Sequence, residues 1–236
     1  MAAACLAAAS PLAAQDAPWQ FAVTPYLWAA GIKGSTTTPA SRVTFNRDFG
    51  DIFKDFSGVP VMLGAEVRKG PVGVVFDLIW LRMSSEIETR NVLFIDGKAR
   101  LSTFQASATG LYRVIDQSAG TLDIGAGVRL WTVSSKASLH AGLLPRVSAK
   151  LDKTFADPIL AARFDFRLGG RWSLTAYGDV GGFGISSDVT WQALGTLNYR
   201  AADWVDVRGG WRHLAVDRDK VNFDFTGPVL AASFRF

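Results

Sequence analysis

The chain has 236 residues, a hydrophobic content of 49%, only 19% charged residues and a net charge of +4. No segment beyond the N-terminus offers the roughly 18 uninterrupted apolar residues that a membrane-spanning helix requires. A chain this apolar with no spanning helix is either a large β-sandwich or a membrane barrel, in which apolar residues are spread over alternate strand positions.

Residues 1–14 are Ala-rich and apolar, and the composition changes abruptly at Gln15-Asp16-Ala17-Pro18. That is the hydrophobic region and small-residue cleavage zone of a secretory signal peptide. A basic stretch ahead of it is missing, which points to a start further upstream. Cys5, the only cysteine, falls inside this segment. Ala2 to Ala4 do not supply the apolar run and larger aliphatic residue of a lipoprotein acceptor, so the mature chain has no disulfide and no cysteine metal site. Residues 15–236 are expected to form one domain.

From Trp19 onward, apolar and polar residues alternate in stretches bounded by Gly, Pro, Asp or Asn. In chain order, strands are predicted over 19–34, 58–69, 71–86, 98–114, 120–136, 154–168, 171–187, 188–201, 203–218 and 221–236. Each is long enough for a tilted bilayer crossing, which takes about 9 to 11 residues. Segment 41–57 is ambiguous: Arg42 to Phe45 reads as a strand extension and Asp51 to Phe56 as one or two helical turns. A further crossing hairpin there would make twelve strands, and loss of a pair would make eight. The Gly178 to Gly184 run reads as a strand kinked by glycines.

The links 69–71, 115–119, 169–170 and 201–202 are short. The long ones, 35–57, 87–97 and 137–153, all fall on the opposite side. Short periplasmic turns and long external loops are the asymmetry of outer-membrane barrels, and an even strand number leaves both termini in the periplasm. The expected fold is therefore an all-β, closed antiparallel up-and-down transmembrane barrel of ten strands.

Alternation also sorts the faces. Val72, Val74, Phe76, Leu78 and Trp80 fall on the lipid side, as do Ile124, Val128, Trp191, Leu197, Tyr199, Val207 and Trp211. A Lys or Arg on that face near mid-membrane costs roughly 2–4 kcal/mol. The lumen side carries the charge as a structural network: Glu66, Arg68, Asp77, Arg113, Asp123, Arg129, Arg163, Asp165, Arg167, Asp179, Arg200, Asp206, Arg208, Arg212 and Arg235. Arginine suits this place because its planar fork pairs bidentately with carboxylates in a narrow, partly dry interior. Gly64, Gly125, Gly127, Gly181 and Gly210 also point inward, making room for large neighbours. Trp19, Tyr112, Trp172, Tyr199 and Trp204 fit interfacial girdles. A soluble sandwich with its charged face in water is the competing reading of the same alternation.

Catalytic and metal chemistry find little purchase. Omptin-like proteases and outer-membrane lipases need an Asp/His or Ser/His arrangement, and only His140 and His213 are present. No Asp-x-His occurs. His213 reads as a lipid-side girdle residue without a nearby carboxylate, and His140 lies in an external loop. Asp152, Asp157, Asp217, Asp219 and Asp224 read as solvated loop acids that meet cations bridging lipopolysaccharide. No metal or other cofactor is expected, and the arginines are dispersed singly rather than clustered with aromatic platforms, which argues against nucleic acid.

The final strand ends in alternating apolar positions, Leu230, Phe234 and the terminal Phe236. This tail resembles the signal by which outer-membrane barrels are recognised for insertion, which implies barrel assembly machinery and periplasmic chaperones as partners, with outer-membrane lipids and lipopolysaccharide around the finished barrel. Together with Thr24 to Gly34 and Gly178 to Gly184, it also resembles a widespread group of proteobacterial outer-membrane β-barrel proteins of uncharacterised function. The resemblance implies fold and outer-membrane location and brings no catalytic residues. Three roles are left: a structural or narrow-pore barrel with an occluded lumen of weak anion preference; binding or uptake of a small apolar molecule through outer-loop residues Phe45, Phe49, Ile52, Phe53, Phe56, Leu143 and Leu144; or an outer-membrane hydrolase.

Overall fold

The computed structural model describes residues 17–37, 42–54, 60–91, 94–140, 147–218 and 221–236. Segment 1–14, Phe56, Leu143, Leu144 and Asp219 lie outside the described residues. The strands are β1 (Trp19–Trp28), β2 (Gly31–Thr37), β3 (Arg42–Arg47), β4 (Val61–Lys69), β5 (Val72–Asn91), β6 (Phe94–Gln117), β7 (Gly120–His140), β8 (Val147–Gly169), β9 (Trp172–Gly181), β10 (Val189–Ala202), β11 (Val205–Arg218) and β12 (Val221–Arg235). A short helix, α1 (Phe49–Lys54), follows β3. Among the described residues no helix is long and apolar enough to cross a membrane.

Sequential strands from β4 to β12 pair antiparallel, β1 pairs with β4, and β1 also pairs with β12, which closes the sheet. β2 continues β1 past Ala29-Ala30 along the upper part of β12. β3 folds back on β2 as a hairpin and crosses nothing. The closed barrel thus has ten walls, and segment 41–57 holds both the strand and the helical turn that its sequence suggested. Closure satisfies every wall's backbone without an open edge, the condition for a sheet to sit in hydrocarbon. At one end are the short turns and both ends of the described chain; we call it the turn end, and its opposite the loop end.

Three boundaries differ from expectation. β5 to β8 run up to seven residues further toward the loop end than predicted, so most of 87–97 and 137–153 is strand rather than loop. Backbone pairing needs no apolar face, and the β5–β6 ladder continues to Asn91 and Phe94. β9 stops at Gly181, six residues early. Gly182, Phe183 and Gly184 all have positive φ (88°, 50° and 71°), so this run is a turn and not a kinked strand.

Gly181 makes room for the Ile159 side chain, whose Cγ2 would lie 2.6 Å from an added Cβ, but Gly125 and Gly210 do something else. A Cβ on Gly125 would lie 1.8 Å from the Gly110 carbonyl oxygen, and one on Gly210 would lie 1.9 Å from that of Gly195. What these positions permit is close backbone approach in a tightly coiled wall.

The outward face is apolar. Phe76, Ile124, Val128, Phe164, Phe166, Trp191, Leu197 and Val207 are exposed, while Arg129 is 1% exposed and Asp123 wholly buried. This is the inverse of a water-soluble sandwich. Trp19, Tyr112, Trp172, Tyr199 and Trp204 stand exposed at the turn end, where aromatic belts of membrane barrels lie.

Candidate functional site

The lumen is layered, and alternation dictates which side chains enter it. Nearest the turn end lies a vestibule of about 430 Å³, into which Arg68, Arg113, Arg167, Arg200, Arg208 and Arg235 project. Above it, and sharing Glu66, Asp165, Thr175 and Arg208 with it, is a central chamber of about 230 Å³.

Two arginine clusters form the floor of this interior. Asp123, fully buried on β7, accepts from Arg68 (2.7 Å), Arg113 (3.0 Å) and Arg163 (2.7 Å). Glu66 shares two of these guanidiniums, taking Arg163 through both carboxylate oxygens (2.7 and 2.9 Å) and Arg68 through Nε (3.1 Å). Asp165 accepts from Thr175 at 2.6 Å and faces Arg163 Nε at 3.3 Å. The second cluster centres on Asp206, which pairs closely with Arg235 and has Arg208 and Arg200 at 3.8 and 3.9 Å. Arg167 stands apart at the rim, exposed, donating to the carbonyls of Gln117 and Ser118.

Higher in the lumen stand two further ion pairs, whose partners Thr190 and Gln192 are successive inward residues of β10. Arg129 grips both oxygens of Asp179 (2.8 and 2.7 Å) and donates to Thr190 (3.1 Å). Arg212 reaches across to Asp77 (2.5 Å), Tyr26 (2.8 Å) and Gln192 (2.6 Å), and Tyr26 in turn donates to Asp77 at 2.6 Å. A buried guanidinium is tolerable only with its donors occupied in this way.

Above these pairs the interior turns apolar. Trp28, Met62, Ile79, Trp131, Leu214, Val216 and Val229 form one buried cluster, with Phe155 and Phe225 packed on it. Phe155, Trp131, Phe225 and Trp28 make a continuous chain with successive centroids 6.3 Å apart. Trp131 stands on β7 and Phe225 on β12, which do not pair, so this contact bridges the lumen. Arginines flank the chain at either end: Arg212 lies 4.8 Å from the Trp28 ring and Arg218 lies 4.3 Å from that of Phe155. The loop-end half is packed with aromatic and aliphatic residues on lumen-facing positions.

Several residues were missed or misread. Asp157 is not a solvated loop acid: it is fully buried and takes the Ser187 backbone N–H and hydroxyl, both at 2.8 Å, pinning the β9–β10 turn to β8. Its odd-numbered parity with Arg163 and Asp165 was the available signal. His213 does have a carboxylate beside it, Asp224 Oδ1 at 3.6 Å from Nε2, across the strand pair on the outward face. The imidazole stacks on Trp191 (4.5 Å). The side chain of His140, at the end of β7, lies outside the described residues, as do those of Phe45, Ile52 and Phe53. No group of three or more His, Cys, Asp or Glu poised for a metal occurs among the described residues.

No protein-family model matches the sequence, and no curated protein matches it. Solved structures do share the fold. The outer-membrane protease OmpT from Escherichia coli superposes with a TM-score of 0.54 at 9% identity, over 94% of this chain and 97% of that one. The translocator domain of the autotransporter NalP from Neisseria meningitidis gives 0.47 at 10% identity, over 94% and 90%. Ail, the attachment invasion locus protein of Yersinia pestis, gives 0.39 at 11%, over 92% and 98%. The likeness is one of architecture.

Proposed function

We propose that this closed ten-strand barrel is an integral protein of the Gram-negative outer membrane, with its turn end and both termini in the periplasm, and that it acts as a structural or narrow-pore component whose lumen is occluded. The observation that carries the reading is the Trp131–Phe225 contact across the lumen, with the Arg212–Asp77 pair beneath it. A ten-strand barrel is already narrow, since open aqueous channels belong to barrels of about 16 strands or more. An aromatic bridge removes the remaining path. Recordings in planar bilayers should show no large steady conductance, and a large steady current overturns the reading.

Leu230, Phe234 and Phe236 serve in this proposal as the insertion signal read by the barrel assembly machinery after delivery by periplasmic chaperones. Residues 1–14 serve as the export signal. Outer-membrane lipids and lipopolysaccharide surround the exposed apolar belt.

A second reading, capture of a small apolar molecule from outside, is favoured by one feature: such a molecule descending the lumen from the loop end meets Trp131, Phe155 and Phe225 before the Arg129–Asp179 and Arg212–Asp77 pairs. Quenching of tryptophan fluorescence by a brominated apolar probe, lost in Trp131→Leu, supports it. The protein is read as non-enzymatic, and hydrolysis abolished by His140→Ala reverses that.

A further inference from the structure

The two arginine clusters of the vestibule are neutralised to different degrees. Around Asp123 two of the three guanidiniums, Arg68 and Arg163, share a second carboxylate, Glu66, while Arg163 also faces Asp165 and Arg113 lies 3.5 Å from Asp116. Around Asp206 three guanidiniums share one carboxylate, and Arg235 holds it most closely. Arg208 and Arg200 stand near 4 Å, beyond hydrogen-bonding distance. Neither makes another ion pair among the described residues. Arg208 Nε is buried with no hydrogen-bond partner, and the Arg208 side chain lines both the vestibule and the central chamber. The acids across the cavity act on it only through space and make no direct pair with it, because Glu66 is taken by Arg163 and Arg68, and Asp165 by Thr175 and Arg163.

From this geometry we infer that the vestibule is an anion-binding site, in which Arg208 and Arg200 clamp the oxyanion group of a small phosphorylated, sulfated or carboxylated molecule. Guanidinium forks match oxyanions in two-point hydrogen bonds. A cavity of about 430 Å³ holds more than the oxyanion itself, leaving space for a small attached body. Access is from the turn end alone, since the aromatic bridge closes the other side. The periplasmic origin of the ligand rests on the orientation proposed above; the site itself does not.

The test uses the folded full chain in detergent micelles, titrated with inorganic phosphate at constant chloride and followed by equilibrium dialysis. One saturable site is expected. Arg208→Gln and Arg200→Gln should each weaken it at least tenfold, whereas Lys153→Gln, which removes an equal charge from the exposed loop end, should leave it unchanged. Arg200 is more than half exposed at the mouth, so its substitution keeps the measurement decisive if the Arg208 variant does not fold. Absence of saturable binding, or binding that Arg200→Gln leaves intact, overturns the inference. Micelle binding does not depend on whether the lumen conducts, so the two proposals fail separately.

Discussion

The guanidinium of Arg212 lies 4.8 Å from the centre of the Trp28 ring while its Nη2 donates to Asp77 at 2.5 Å. One side chain therefore joins the charged layer of the lumen to the apolar layer above it. β11, which carries Arg212, is tied by it to β1, β5 and β10 in a single set of contacts.

Removing Asp77 leaves that guanidinium buried without its counter-charge. Asp77→Ala should destabilise the folded barrel by about 3–5 kcal/mol, measured by urea unfolding in vesicles. Asp77→Leu combined with Arg212→Met should recover most of that loss, because an apolar pair of similar volume escapes the desolvation cost. Failure of the double variant to recover would assign the loss to Tyr26 and Gln192 rather than to the ion pair.

The aromatic bridge makes a conductance prediction. Trp131→Ala with Phe225→Ala removes both sides of the cross-lumen contact, and small stepwise currents should appear in planar bilayers where the parent shows none. Each truncation should also cost about 3–5 kcal/mol, the usual range for deleting a buried large aromatic.

The outward face makes a depth prediction. Val128 is 46% exposed near the middle of the crossing part of β7. Val128→Arg should cost about 2–4 kcal/mol in vesicles, read as a lower folded fraction at equilibrium. Ile185→Arg, at a residue 70% exposed in the β9–β10 turn, should cost at most about 1 kcal/mol. Equal costs at the two positions would contradict a hydrocarbon surround at Val128.

Asp157 holds the β9–β10 turn through two hydrogen bonds to Ser187. Asp157→Ala should accelerate amide exchange across residues 182–188 while leaving β9 and β10 protected. Phe183, held at a φ of 50°, is the first amide expected to respond, because that conformation persists only while its surroundings impose it.

Phe236 exchanges two backbone hydrogen bonds with Phe21 (2.9 and 3.2 Å), so its backbone closes the barrel whatever its side chain. Phe236→Ala should therefore leave unfolding in vesicles nearly unchanged and sharply reduce the assembled protein in cells, measured by heat-dependent electrophoretic mobility of outer-membrane fractions.

The barrel and its facing were readable because a period of two carries charge and hydrocarbon on separate faces, as in Arg163 to Leu168. The aromatic bridge was not. Parity carried along the strands places Trp80 outward and Ile79 and Trp131 inward, yet it gives no sign that Trp131 meets Phe225 of a distant strand across the lumen. The strand extensions escaped for another reason: Val147, Ala149 and Leu151 do alternate with Ser148, Lys150 and Asp152, but a crossing needs only about 9 to 11 residues and backbone pairing continues past it. Which arginines share which acids depends on contacts between strands far apart in sequence, such as Arg163 with Glu66, and residue parity alone does not carry that information.

β6 spans 24 residues and β9 only 10, which at about 3.3 Å per residue is a difference in reach of roughly 45 Å along the strand. The rim is consequently lopsided, a tall rampart over β5 to β8 and a low sill at β9 and β10. Neighbours in the membrane plane can nestle close to the sill and are fended off by the rampart, so crowding around this molecule has a direction.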